Sequence, residues 1–167
     1  MSEDFLGARK FRSLSGPVKG VERFLLCALI IIGAAWAGTV HIFLGLVFFT
    51  EQFLGLFVAL ALPAVFITVK PYHGQAGDRV PWYDWLFAIG SAVAGAYILV
   101  RYPSIAYQLG VLSPDKVWLG ALTVLLVLEA TRRLIGWSLV ILAAVFILYA
   151  RYAYLLPGMM YAKGSSW

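Results

Sequence analysis

The densest polar cluster carrying both signs of charge within the apolar part of the sequence is Glu129-Ala-Thr-Arg132-Arg133. On a helix Glu129 stands i,i+3 from Arg132 and i,i+4 from Arg133, so all three share a face and can pair. This reads as a cytoplasmic helix end whose arginines carry an internal counter-charge. A sharper reading makes it an ordering point, where the chain reverses or meets a partner subunit. Gly136 and Trp137 follow at once and belong to the same candidate set. The remaining chemistry-bearing residues give less. His41 reads as a hydrogen-bonded residue near one end of an apolar run. His73 falls in a polar loop, and neither histidine has a Cys, Asp, Glu or second His at helical metal-ligand spacing. Cys27 is the single cysteine, so no disulfide or CxxC site forms within the chain, and it reads as a small buried hydrophobe. Glu51, Lys70 and Asp84 sit at the ends of apolar runs and read as headgroup contacts. There is no GxSxG, phosphate loop or HExxH. The expectation is a protein without catalytic residues, metal or cofactor.

Small residues recur at helical spacing: Gly33 with Ala37, Ala34 with Gly38, and Ser91 with Gly95. Such pairs let helix backbones approach closely, so the runs that carry them are expected to pack on other helices.

The elements that must position these residues follow from composition. Of 167 residues, 62% are hydrophobic and 13% charged, with a mean hydropathy of +0.88. Soluble domains are about 45–50% apolar and about 25% charged. A soluble globular protein and a disordered chain are both excluded on those grounds. The long unbroken apolar runs point to helices, not to the alternating strands of a barrel. The expected fold is an all-α membrane protein with five spans.

Residues 1–23 form a basic arm placed at a cytoplasmic membrane surface; with few interleaved aromatics, nucleic acid is not an expected partner. The first apolar run goes from Phe24 to Leu46, with a turn near Gly45. The second runs from Phe53 to Val69, and Pro63 inside it predicts a kink or a close-packing site. The third runs from Trp85 to Val100 and is closed by Arg101-Tyr-Pro. Ser113-Pro-Asp reads as a helix start, with Ser113 as N-cap. An unbroken helix over 114–155 would be about 63 Å long, twice a bilayer core. The chain must therefore turn near Gly136. Residues 114–133 form the fourth span and Trp137–Leu155 the fifth. The alternative is four spans, with 114–133 lying in the interface. Val117–Leu128 lacks the polar face that such a helix needs.

With five spans and the N-terminus inside, the inner segments hold nine basic residues: Arg9, Lys10, Arg12, Lys19, Arg23, Lys70, Arg79, Arg132 and Arg133. The outer segments hold four: Arg101, Lys116, Arg151 and Lys163. The asymmetry predicts a cytoplasmic N-terminus and an external C-terminus.

Two stretches, Val80-Pro-Trp-Tyr-Asp-Trp-Leu86 and Leu125-Leu-Val-Leu-Glu-Ala-Thr-Arg-Arg-Leu-Ile-Gly-Trp137, resemble the N-terminal part of fused membrane components of tripartite ATP-independent periplasmic (TRAP) transporters. The similarity is greatest to the branch whose binding proteins are called TAXI. Leu148-Tyr-Ala-Arg-Tyr-Ala-Tyr-Leu-Leu-Pro-Gly158 also fits, so the resemblance covers roughly residues 20–165. It implies a four-helix small module over 24–133 and a connector-like helix with an outer tail over 134–167. It further implies a role as the small scaffold subunit in a bacterial inner membrane. Its partners would be a large elevator subunit, a periplasmic binding protein that delivers an organic anion, and the lipid bilayer. Ending at Trp167 departs from the fused pattern, which leaves a separate subunit and a piece of a longer product both open. The other reading of function is a membrane-embedded assembly or anchor protein with no transport role.

Overall fold

The computed structural model describes residues 11–45, 48–72, 80–107 and 114–155. Among them are six α-helices and no strand: α1 Pro17–Ala37, α2 Val40–Phe43, α3 Thr50–Thr68, α4 Trp82–Tyr107, α5 Pro114–Leu134 and α6 Trp137–Tyr152. A 3-10 turn over Ala153–Leu155 follows α6. Three helices, α1, α3 and α4, are long and apolar enough to cross a bilayer. α6 is apolar but shorter, at 16 residues. Ser113, the expected N-cap of α5, lies outside the described residues, as do Leu46 and the loop carrying His73 and Arg79.

The boundaries differ from the sequence reading in two places. The first run breaks at Gly38–Thr39, before the expected turn at Gly45; Thr39 is left-handed at φ 54°. The third helix is not closed by Arg101-Tyr-Pro but continues through Pro103 to Tyr107. A proline inside a helix has no N–H for the carbonyl four residues back, here Leu99. Gln52 supplies the missing donor, its Nε2 lying 2.9 Å from the Leu99 carbonyl oxygen. The same side chain accepts from the Phe49 N–H at 3.1 Å, so it also caps α3. One glutamine thus satisfies an orphan donor and an orphan acceptor on adjacent helices.

Helices α3 and α4 form an antiparallel pair whose backbones touch. A Cβ added at Gly95 would lie 2.5 Å from both the Ala59 nitrogen and the Gly55 oxygen. One added at Gly55 would lie 2.8 Å from Ile98. Ser91 is fully buried on the same face of α4 and donates to the Ala88 carbonyl at 2.9 Å. Pro63 is buried in the same helix pair. The small residues of α1 behave otherwise. Gly33 faces open space, and Gly38 is the C-cap of α1, where an added Cβ would crowd only the helix's own Ala34 carbonyl and Val40. The Gly33 and Gly38 pairs therefore do not mediate packing among the described residues. Cys27 is exposed, not buried as the sequence suggested, because α1 contributes no buried residue.

α5 runs antiparallel to α4. At one end the Tyr97 hydroxyl donates to Asp115 at 2.9 Å, and at the other Arg133 meets Asp84 at 2.7 Å. The apolar core gathers at that second end. Leu14, Leu62, Phe66, Ile67, Ala88, Leu126 and Ala130 form it, with Val18 and Leu25 of α1 against them. α1 reaches α3 at its far end through Trp36, whose ring stacks between His41 and Phe53, each centroid 4.2 Å away. α5 ends at Leu134, and Gly136, at φ 113°, makes the turn into α6. That conformation costs an L-residue but not glycine.

Candidate functional site

At the core end of the bundle an ion network joins four segments of chain. Asp84, in the first turn of α4, has no solvent exposure. Arg12 Nη2 donates to its Oδ2 at 2.5 Å. Arg133 Nη1 lies 2.7 Å from its Oδ1. This second contact is a close ion pair without hydrogen-bond alignment, since neither atom has a hydrogen-bond partner. Arg133 Nε donates instead to Glu129 Oε1 at 2.8 Å. Arg132 grips the same carboxylate side-on, with Nε to Oε2 and Nη2 to Oε1 both at 2.7 Å. The three residues that helical spacing placed on one face thus pair with each other, and Arg133 carries the network inward to Asp84.

Two sequence expectations are corrected here. Asp84 does not reach headgroups; it is the centre of the network. Arg12, expected at a membrane surface as part of the basic arm, is not at a surface. Its side chain is fully buried. The cause lies at the end of α3. The last carbonyls of a helix have no partner within it. Arg12 Nη1 donates to the Phe66 and Ile67 carbonyls at 3.0 and 3.1 Å, and the Arg12 backbone N–H to Thr68 at 2.9 Å. Phe11 pairs with Val69 as an isolated bridge beside it. A cation at a helix C-terminus is also favoured by the helix dipole. The short stretch at Phe11 and Arg12 is therefore bound into the bundle as a strap, and Asp84 offsets the charge that the strap brings in.

The surroundings are aromatic. The Arg133 guanidinium lies 5.0 Å from the Phe66 ring centroid and 5.7 Å from that of Phe87. Arg132 lies between Tyr72 and Trp137, at 5.3 and 5.6 Å. Cation–π contacts of this kind strengthen where water is excluded. A cavity of about 570 Å³ opens here, lined by Tyr72, Tyr83, Glu129, Arg132, Arg133 and Trp137.

A second, apolar cavity of about 490 Å³ lies at the opposite end, lined by Trp36, His41, Gln52, Phe53 and Leu99 among others. His41 is held there by stacking on Trp36, and its Nδ1 is buried without a hydrogen bond. Of the other residues read as headgroup contacts, Glu51 is exposed and Lys70 half-buried. Among the described residues no group of three His, Cys, Asp or Glu could hold a metal ion.

The network was missed from sequence because its partners are far apart; Arg12 and Asp84 are separated by 72 positions. One signal was present. Two arginines against one glutamate at 129–133 leave a surplus cation on an apolar helix, which calls for a distant carboxylate. Compared with known proteins, the chain matches no protein-family profile, no curated protein and no solved structure.

Proposed function

We propose that this chain is the small, stationary membrane subunit of a TRAP-type transporter for organic anions, set in a bacterial inner membrane. It would brace a large elevator subunit and widen the platform on which a periplasmic binding protein docks. The observation that carries the reading is where the two resembling stretches meet. Asp84, from Val80–Leu86, pairs with Arg133, from Leu125–Trp137, at 2.7 Å. The stretches that support the resemblance are thus the ones that hold the helices together. A bracing role also fits how the buried polar side chains are used. Among the described residues these are Arg12, Asp84, Ser91 and Arg133; the three charged ones tie separate stretches of chain together, and Ser91 is satisfied within its own helix. A permeation path would instead need polar groups turned toward a substrate at midplane.

We read five crossings, with the N-terminus cytoplasmic and the C-terminus external. α5 is tied to α4 by Asp115 at one end and by Arg133 at the other. The rise between those residues is about 27 Å, close to the thickness of a hydrocarbon core. On α4 the tied residues, Asp84 and Tyr97, are about 20 Å apart in rise, so α5 is held to a helix long enough to span over much of its own length, and we read it as crossing with it. α6 then returns to the outside, its 16 residues contributing no buried side chain.

The test is copurification in mild detergent, followed by reconstitution. A large polytopic protein and a substrate-loaded binding protein should copurify with the chain. In proteoliposomes the chain alone should move nothing. With both partners, an ion gradient should drive uptake. If the chain purifies without a large membrane partner, and its deletion leaves organic-anion uptake unchanged, the anchor-protein reading replaces this one. Transport by the chain alone would sink both.

A further inference from the structure

We infer that the cavity between the α5–α6 turn and the start of α4 is a binding site for the phosphate of an anionic phospholipid. The inference requires a bilayer around the chain but not a transporter. Three independent features of the cavity ask for an anion.

The first is charge. Among the described residues the connected network holds three guanidiniums, of Arg12, Arg132 and Arg133, against two carboxylates, of Asp84 and Glu129. One positive charge is left over in a partly desolvated place, where an uncompensated ion is costly. The second is where that charge faces. Arg132 uses Nε and Nη2 on Glu129, which leaves both N–H groups of Nη1 outside the fork. Arg133 also lines the cavity, but its Nη1 is held 2.7 Å from Asp84 Oδ1, so the open donor is that of Arg132. The third is the start of α6. Gly136 offers no side-chain cap, and no acidic residue stands in the first turn. The free N–H groups and positive dipole end of a 16-residue helix are therefore unanswered beside Trp137, which is part of the cavity wall. Glu129 does not oppose an anion here, since both its oxygens are taken by the two arginines.

The rim identifies the source of the anion. Tyr72, Tyr83 and Trp137 line the opening, and Tyr72 and Trp137 are 69% and 63% exposed. Amphipathic rings of this kind collect at headgroup depth. A phosphodiester with one negative charge matches the surplus. A headgroup that brings its own ammonium does not, because it carries a cation to a cationic site.

The experiment is thermal unfolding of the purified full chain in a neutral detergent, with added phosphatidylglycerol, phosphatidylcholine or inorganic phosphate. A ligand at ten times its dissociation constant should raise Tm by roughly 3–6 °C in a chain of this size. Phosphatidylglycerol should give that rise over phosphatidylcholine. Arg132→Gln should abolish the difference, and Arg101→Gln, at the far end of α4, should keep it. Should Arg132→Gln fail to fold, Ser138→Asp serves. It puts a carboxylate in the first turn of α6, where it supplies the missing anion and should remove the phosphatidylglycerol effect from a stable protein. Equal shifts with the two lipids would overturn the proposal. So would inorganic phosphate acting as strongly as phosphatidylglycerol, or Ser138→Asp retaining the full effect.

Discussion

Replacing Asp84 by Asn tests whether the ion network holds the bundle. Asparagine keeps the size of the side chain and removes only the charge. Asp84 has no solvent exposure, and two guanidiniums with 0% and 1% exposure lie on it at 2.5 and 2.7 Å. Water cannot replace the lost charge without opening the core, so Arg12 is left buried without a carboxylate and Arg133 with Glu129 alone. Breaking a buried pair in this way costs about 3–5 kcal/mol. Arg12 retains the Phe66 and Ile67 carbonyls and Arg133 retains Glu129, which favours the lower part of that range. In a chain of this length each kcal/mol is worth about 2–4 °C of Tm, so the expected fall is about 6–15 °C. Detergent-solubilised unfolding, read by tryptophan fluorescence, measures it. Asp115→Asn is the control: it breaks a carboxylate contact on the same pair of helices at an exposed site and should cost under about 1 kcal/mol. A double-mutant cycle with Arg133→Gln separates pairing from packing. If the charges are coupled, the double variant loses less than the sum of the singles, by at least about 1 kcal/mol. An Asp84→Asn variant no less stable than Asp115→Asn, with additive double-mutant behaviour, would refute the reasoning.

Gln52→Leu should destabilise the chain by about 1–3 kcal/mol, because it orphans the Leu99 carbonyl, and Pro103→Ala should rescue most of that by returning the helical N–H; equal costs in both backgrounds would reject the link. Gly95→Ala should lower Tm, since its Cβ would meet the Ala59 and Gly55 backbones at 2.5 Å, whereas Gly90→Ala, with nothing within 4 Å, should leave Tm unchanged or raise it. Glu129→Ala should cost more than about 1 kcal/mol and reduce yield, against under about 0.5 kcal/mol for exposed Glu51→Ala, as checked by melting the two side by side. A periplasm-specific reporter should be active after Trp167 and silent within 74–78; a silent C-terminal fusion would favour the four-span reading.

What could be read from the sequence was what depends on near neighbours. The pairing of Glu129 with Arg132 and Arg133 needs only the helical repeat. The turn at Gly136 needs only the length of a bilayer and a residue free to take positive φ. The close approach at Gly95 follows from a small-residue pair, but the same pattern on α1 meets no other long helix: Gly33 faces open space and Gly38 only the chain around its own turn. Spacing says that a face is smooth and not whether another helix covers it. The long-range elements were hidden for a related reason. Asp84 follows Pro81-Trp-Tyr at the head of an apolar run, which is also how an interfacial carboxylate looks. Only the position of Arg12, bound to the end of α3, distinguishes the two. Pro103 misled in the same way: a proline stops a helix unless some other group satisfies the orphaned carbonyl, and here that group is 47 positions away.

The distribution of ties along the bundle has a mechanical consequence. At the core end, α3, α4, α5 and the strap before α1 are joined by charged contacts and share one apolar cluster. At the other end the polar ties include the hydrogen bonds of Gln52 to Leu99, Tyr97 to Asp115 and Tyr102 to Glu51, none of them a buried ion pair, beside the open apolar cavity at Trp36. Local opening follows the number and burial of such contacts. Amide exchange should therefore be slowest around Phe66, Asp84 and Ala130 and faster around α2 and the Trp36 cavity. α1 and α6 lie outside this rigid centre, with no buried residue on either. Much of their apolar surface is left exposed within the described chain, Phe24, Ile30 and Ile31 on α1 and Ile141, Val145 and Phe146 on α6 among it, so hydrophobic burial is still to be gained there, and the charged end fixes the position from which both helices present those surfaces.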